Sequence, residues 1–153
     1  MFTNRKGSLV LTVLFLILSL ALMAARLPDA EQGGRSLTAT LTGEAEVPGP
    51  GDPDGSGTAM VTLNPGQGTV CWQISVSNIT LPAIGAHIHI GGVADAGPVV
   101  VPLSSPDESG TSSGCISADR DLILDIIRNV DQYYVNVHTV EYPAGAVRGQ
   151  LVK

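Results

Sequence analysis

The chain has 153 residues, of which 14% are charged, and its formal net charge at neutral pH is −6. Three of the eight basic residues lie in the first 26 positions and all fourteen acidic residues follow them, so the rest of the chain carries a net charge of about −9. This charge argues against nucleic acid or an anionic lipid surface as a partner of the folded part, because both would repel it. Cationic ligands, metal ions included, are favoured.

The first 26 residues show the order of charge and hydrophobicity that is typical of export. Arg5 and Lys6 precede an apolar run from Ser8 to Ala25. The run is longer than a signal peptide requires and slightly shorter than a spanning helix of about 20 residues. Residues 1–26 are therefore predicted to be a signal peptide or an N-terminal membrane anchor, with cleavage left open. In both cases the remaining chain is expected to be secreted, periplasmic or on the cell surface, with membrane contact only through this segment.

Residues 27–35 lack periodicity and are predicted to be a flexible linker, followed by one domain over residues 36–153. Leu37, Ala39 and Leu41 alternate with threonines, which predicts a half-buried strand. Further strand candidates, separated by Gly, Pro, Asn and Asp, cover residues 57–63, 68–76, 86–90, 99–103, 111–117, 133–139 and 146–152. This pattern predicts an all-β antiparallel β-sandwich, in which two sheets pack face to face.

One segment breaks the strand pattern. Asp119 is suited to cap a helix, and apolar residues follow it at helical spacing: Leu122, Ile123, Ile126, Ile127 and Val130. We expect one short helix between residues 118 and 131.

The two cysteines, Cys71 and Cys115, lie beyond the export segment. An even number of cysteines in an oxidising compartment is most simply interpreted as one disulfide, and two separately buried thiols are the alternative. Trp72 adjoins Cys71 in a predicted strand and is expected to pack in the core rather than bind a ligand.

The three histidines occupy two strand candidates. His87 and His89 stand two apart, so their side chains leave the same face of a strand, and His138 lies in another strand. If the two strands are neighbours, three imidazoles converge in a way that suits copper or zinc. The alternative is that all three are partly buried residues bonded to the backbone or to one another, since a His-x-His pair alone is a weak signal.

Several segments together resemble the CHRD domain, a family widespread among exported bacterial proteins. They are Leu37–Leu41, Gly43–Pro48, Gly57–Ala59, Ala86–Gly91, Tyr133–Thr139 and Pro143–Leu151. The resemblance covers essentially residues 36–153 and implies an extracytoplasmic module whose biochemical role is largely unassigned.

A weaker resemblance connects the chain to the copper-zinc superoxide dismutases. It implies a superoxide-dismutase-like or immunoglobulin-like sandwich, with His87, His89 and His138 matching three copper ligands. Ala144–Arg148 approximates a segment whose arginine guides the anionic substrate, with one residue more. No fourth histidine is present, so a histidine-bridged copper-zinc centre is excluded by count.

These observations lead to two hypotheses. The first is an exported binding or scaffold module, acting on an unknown extracytoplasmic protein or small ligand, that is not expected to be an enzyme. The second is a mononuclear copper or zinc protein with possible redox activity. In the second hypothesis Arg148 draws in a small anion, although a structural hydrogen bond or salt bridge is the favoured role for this arginine. Asn136 shares the face of His138 and is a candidate to fix its tautomer.

Overall fold

The structure is a computed structural model that describes residues 34–153. The predicted signal or anchor of residues 1–26 lies outside the described residues, as does most of the predicted linker. The first strand already begins at Arg35, the last position assigned to that linker. Among residues 34–153, no helix has the length and hydrophobicity needed to cross a membrane.

Eight strands, one α-helix and one short 3-10 helix (Val130–Gln132) make up the regular structure of the described chain, and the strands and the α-helix lie close to the positions that the sequence predicts. The strands are β1 (Arg35–Thr42), β2 (Ser56–Asn64), β3 (Thr69–Ser77), β4 (Gly85–Ile90), β5 (Val99–Leu103), β6 (Thr111–Ser117), β7 (Tyr133–His138) and β8 (Val147–Gln150). The helix α1 (Arg120–Arg128) begins after Asp119, whose carboxylate accepts hydrogen bonds from the backbone N–H groups of Asp121 and Leu122, as expected of an N-cap.

All eight strands belong to one antiparallel sheet with the order β5-β4-β7-β8-β1-β2-β3-β6, and this sheet is nearly closed into a barrel. The prediction of an antiparallel all-β domain with one short helix is confirmed. The two separate sheets of the predicted sandwich are instead two halves of a continuous sheet, because β8 pairs with β1. That junction is short: it consists of the pair Thr42 and Arg148 and an isolated bridge between Thr38 and Val152.

The inward side chains of both halves form one hydrophobic core. Leu37, Val61 and Ile88 have no exposed surface, and α1 adds Ile123 and Ile126 to the same cluster. Each alternating strand thus places its apolar residues inside and its polar residues outside.

Cys71 and Cys115 are directly opposite each other on β3 and β6 and form a disulfide, so the predicted bridge is confirmed. Trp72 is buried beside it, as predicted, and its indole N–H donates a hydrogen bond to Ser112 Oγ at 3.1 Å. Gly114 stands opposite Trp72, and a Cβ atom there would lie 2.7 Å from the indole ring, so glycine is what lets the ring pack against β6.

The outer faces of the two half-sheets differ. On the half formed by β5, β4, β7 and β8, loops cover the outward side chains, so that His89, Asn136 and Arg148 are buried polar residues. On the half formed by β1, β2, β3 and β6, most outward side chains are exposed. The histidines lie on the covered half.

Candidate metal centre

The sheet register brings the three histidines together. Strands β4 and β7 are antiparallel neighbours in which His87 lies opposite Asn136 and Gly85 lies opposite His138. His138 is therefore two residues along β7 from the direct partner of His87. The two histidine side chains leave the same face of the sheet as diagonal neighbours. Gly85 leaves room for both rings, because a Cβ atom there would lie 3.3 Å from His138 Cδ2 and 3.3 Å from His87 Cε1.

The three imidazoles converge through one nitrogen each. The Nδ1 atom of His87 lies 3.2 Å from the Nε2 atom of His138, and one nitrogen from each of the three residues lies within 4.8 Å of the others. The ring centroids are separated by 5.1 to 6.1 Å. The two strands are neighbours, as a site shared by all three histidines requires.

Backbone carbonyls fix the tautomers of two of the rings. His89 Nδ1 lies 2.8 Å from the Gly97 carbonyl oxygen, and His138 Nδ1 lies 3.1 Å from that of Pro143. A carbonyl can only accept, so both Nδ1 atoms carry the proton and both Nε2 atoms keep a lone pair. The Nε2 atom of His89 is buried and has no hydrogen-bond partner among the described residues.

The environment lowers the pKa of all three imidazoles, which favours their neutral form at neutral pH. Burial lowers the pKa of His87 below its ordinary value of 6.5, and the neighbouring His138 and His89 lower it further. Burial also lowers the pKa values of His89 and His138, although their hydrogen bonds to Gly97 and Pro143 act in the opposite direction. A neutral imidazole is the form that binds a metal ion.

A buried polar layer supports His89. Its ring stacks on Tyr134 with centroids 4.8 Å apart and planes 9° from parallel. The Tyr134 hydroxyl accepts a hydrogen bond of 3.1 Å from the Gly97 N–H, so the same loop residue holds both rings. The guanidinium carbon of Arg148 lies 3.5 Å from the centre of the Tyr134 ring, a cation–π contact.

Arg148 is buried and makes a hydrogen bond to a backbone carbonyl. It is only 1% exposed, and its Nη2 atom donates a hydrogen bond of 2.7 Å to the Gly92 carbonyl. Its Nη1 atom is buried without a hydrogen-bond partner among the described residues. This burial favours the structural role over that of an anion guide, which needs contact with solvent.

Asn136 has a different partner from the one proposed for it. Its side-chain N–H group donates to both carboxylate oxygens of Glu46, and it is Pro143 that orients His138. Glu46 and Tyr134 were not identified as site residues from the sequence. A glutamate in a Gly- and Pro-rich loop ordinarily faces solvent, and a tyrosine in a strand ordinarily packs in the core, so neither had a signal of its own.

The arrangement presents three neutral nitrogen donors on one face of the sheet, with His89 buried and His87 and His138 partly exposed. Solvent therefore reaches the rim of the cluster. Such a site is suited to hold one transition-metal ion with three protein ligands and a coordination position open to a small molecule.

A family model described as the CHRD domain matches residues 37–151, which is nearly all of the described chain. Comparison with curated proteins gives no match.

Proposed function

The chain belongs to the CHRD domain family, and from this premise we propose that its domain binds one transition-metal ion, copper or zinc, through His87, His89 and His138. The observation that carries the proposal is the convergence of three neutral imidazole nitrogens, each on a different position of two paired strands. His89 and His138 supply Nε2. His87 supplies Nδ1, which in the metal-free protein donates a hydrogen bond to His138 Nε2 and must give up that proton when the ion binds.

The spacing of the donors fits a single ion. Ligand nitrogens at about 2.0 Å from a tetrahedral metal lie about 3.3 Å apart, and His87 Nδ1 is 3.2 Å from His138 Nε2. The largest separation in the cluster, 4.8 Å, requires a movement of about 1 to 1.5 Å, which rotation of a partly exposed ring can provide. A bound ion also gives a partner to the buried Nε2 atom of His89. Without one, this atom is removed from water with no hydrogen bond to offset its desolvation.

The donor set bears on the identity of the metal. Imidazole ligands suit both copper and zinc, and the general affinity order places copper(II) above zinc. Copper supplies one-electron redox chemistry when bound, whereas zinc supplies Lewis acidity. The chain itself contributes the neutral donors, the carbonyls of Gly97 and Pro143 that orient them, and the Tyr134 ring that backs His89.

The test is metal retention by the full chain. Protein freed of metal with a chelator is loaded with copper(II) or zinc(II), passed through gel filtration and measured by elemental mass spectrometry. We expect about one ion per chain, with nitrogen ligands visible in the paramagnetic resonance spectrum of the copper form.

The decisive variant is His87→Ala, His89→Ala, which should retain almost no metal while keeping a cooperative thermal transition. Because the domain is acidic, Asp107→Asn is the matched control for non-specific binding: Asp107 is an exposed carboxylate on the loop between β5 and β6. No retained metal in the parent, or equal retention in the histidine variant, would contradict the proposal.

A binding or scaffold module outside the cytoplasm is the second candidate function. The disulfide between Cys71 and Cys115 favours an oxidising compartment. An exposed half-sheet without charged side chains in its centre is available for contact with a partner. Labelling of intact cells with a reagent that cannot cross membranes, followed by recovery of the chain, tests the location.

A further inference from the structure

The exposed half-sheet carries an array of uncharged polar side chains, which we call the hydroxyl face. Its central members are Thr38, Thr40, Thr58, Gln73, Ser75 and Ser113. The sheet register sets them in rows across the strands: Thr40 lies beside Thr58, and Thr58 lies beside Ser75. Strands β2, β3 and β6 contain no Asp, Glu, Lys or Arg, and the only charged residue of β1 is Arg35 at its first position.

The charged residues of the described chain lie instead in loops, helical segments and the C-terminus, apart from Arg35 on β1 and Arg148 on β8. In a strongly acidic protein, charged side chains ordinarily spread over the exposed surface. A face without charged side chains in its centre argues against a polyanion or a polycation as its ligand, since neither would meet residues of opposite charge there.

The hydroxyl face is also concave. It encloses a shallow cleft of about 570 Å³ that spans β1, β2, β3 and β6, within the size range of ligand sites. A second hollow of about 260 Å³ adjoins it beside the disulfide. The two hollows share Met60, Gln73 and Ser113, so they form one groove across the sheet.

The side chains of the groove can both donate and accept hydrogen bonds. The hydroxyls of Thr40, Thr58 and Ser75 are exposed, and they make no hydrogen bond to any other residue of the described chain. Met60 and the disulfide add apolar surface to the same groove. A ligand that matches has many hydroxyl groups, no net charge and C–H surfaces.

We propose that the hydroxyl face binds a segment of a neutral polysaccharide. Sugar hydroxyls donate and accept as the threonine and serine hydroxyls do, and the C–H faces of sugar rings can pack on Met60 and the disulfide. Three strand spacings of about 4.8 Å give a groove of about 14 Å across the sheet, which accommodates a short run of sugar residues. Two concave faces do not fit each other closely, which argues against a second copy of the chain as the occupant.

The test measures binding of neutral hexasaccharides to the full chain by isothermal titration calorimetry. The probes are cellohexaose, maltohexaose, laminarihexaose and N-acetylated chitohexaose, each at concentrations up to the millimolar range. At least one should bind saturably. Thr40→Val, Thr58→Val removes two hydroxyls while keeping β-branched side chains, and it should weaken that binding by about 10- to 30-fold.

Thr80→Val is the matched control, because it makes the same substitution on a loop away from the groove, and it should leave the affinity unchanged. Gln73→Ala gives a second variant in case the threonine pair lowers solubility. Absence of binding by all four sugars, or equal binding by the variants, would overturn the proposal. Sedimentation showing a dimer that the threonine variants dissociate would also overturn it and assign the face to a second copy. Sugar binding in this experiment does not depend on the proposed metal centre, because the three histidines lie on the other half-sheet.

Discussion

Asn136 donates its side-chain N–H group to both carboxylate oxygens of Glu46, at 2.8 and 2.9 Å, and both side chains are buried. The pair joins the loop after β1 to strand β7, 90 residues further along the chain. It lies beside the histidine cluster, because Asn136 is the cross-strand partner of both His87 and Arg148. A carboxylate in this position holds the loop against the sheet at the cost of desolvation.

The first prediction concerns the pH dependence of stability. Burial raises the pKa of Glu46 above 4.5, although the Val47 N–H, Arg148 and Asn136 oppose the shift. A carboxyl group with a raised pKa in the folded state stabilises the fold below its unfolded value, and this contribution is lost as pH rises through the folded value.

We therefore expect the free energy of unfolding of Glu46→Gln, relative to the parent, to increase from pH 4 to pH 8. Urea denaturation of both proteins across that range measures the difference. A difference that is the same at every pH would show that the carboxyl group does not titrate differently in the two states.

The second prediction concerns Gly145, which has a φ of +149° and touches the same pair. A Cβ atom there would overlap the carboxylate of Glu46 and lie 2.7 Å from Asn136 Nδ2. Gly145→Ala should lower the free energy of unfolding by about 2 to 4 kcal/mol, through overlap and backbone strain together. Gly66→Ala, in the open turn between β2 and β3, should change it by less than about 1 kcal/mol. Equal effects of the two substitutions would contradict the packing seen at Gly145.

The third prediction concerns the disulfide, which closes a loop with a sequence separation of 44 residues. Replacing Cys71 and Cys115 with serine should lower the free energy of unfolding by about 3 to 4 kcal/mol, from the added freedom of the unfolded chain. Reduction of the parent with a thiol should give a loss of similar size. A loss below about 1 kcal/mol in both experiments would show that the bridge adds little to stability.

The sequence predicted the elements that depend on local pattern. Leu37, Ala39 and Leu41 alternate with threonines, and a strand is the structure that separates them onto two faces. The same rule placed His87 and His89 on one face. The sequence also identified Asp119 as the helix N-cap, because a short carboxylate side chain before an apolar run can accept hydrogen bonds from the free N–H groups of the first turn.

Features that depend on contacts between distant segments were not predictable in this way. The two half-sheets are joined where β8 pairs with β1, through one residue pair and one isolated bridge. The alternation of apolar and polar residues along a strand does not predict this pairing. The burial of Glu46 depends on where its loop lies in space. The approach of His138 to His87 was predicted only on the condition that β4 and β7 be neighbours, since period-2 patterns do not specify which strands pair.

The fourth prediction concerns the histidine tautomers in the metal-free protein. Nitrogen-15 correlation spectra of the imidazole rings should show His89 and His138 protonated at Nδ1, because Gly97 and Pro143 accept hydrogen bonds from that atom. Assignment by the single variants His89→Gln and His138→Gln identifies each ring. Protonation of either ring at Nε2 would remove the lone pair that the proposed metal centre requires.

The fifth prediction separates the geometry of the histidine cluster from the stability of the fold. Gly85 has no positive φ, so alanine is compatible with its backbone, but an added Cβ would lie 3.3 Å from carbon atoms of both His138 and His87. The rings would have to move apart by a few tenths of an ångström.

Since misplacing ligands typically costs metal affinity about 10- to 100-fold, Gly85→Ala should weaken copper or zinc binding by about 10-fold, as measured by competition with a chelator. Its melting temperature should change little, because His87 and His138 are partly exposed and can yield. Unchanged metal affinity in this variant would show that the spacing of these two rings does not control metal binding.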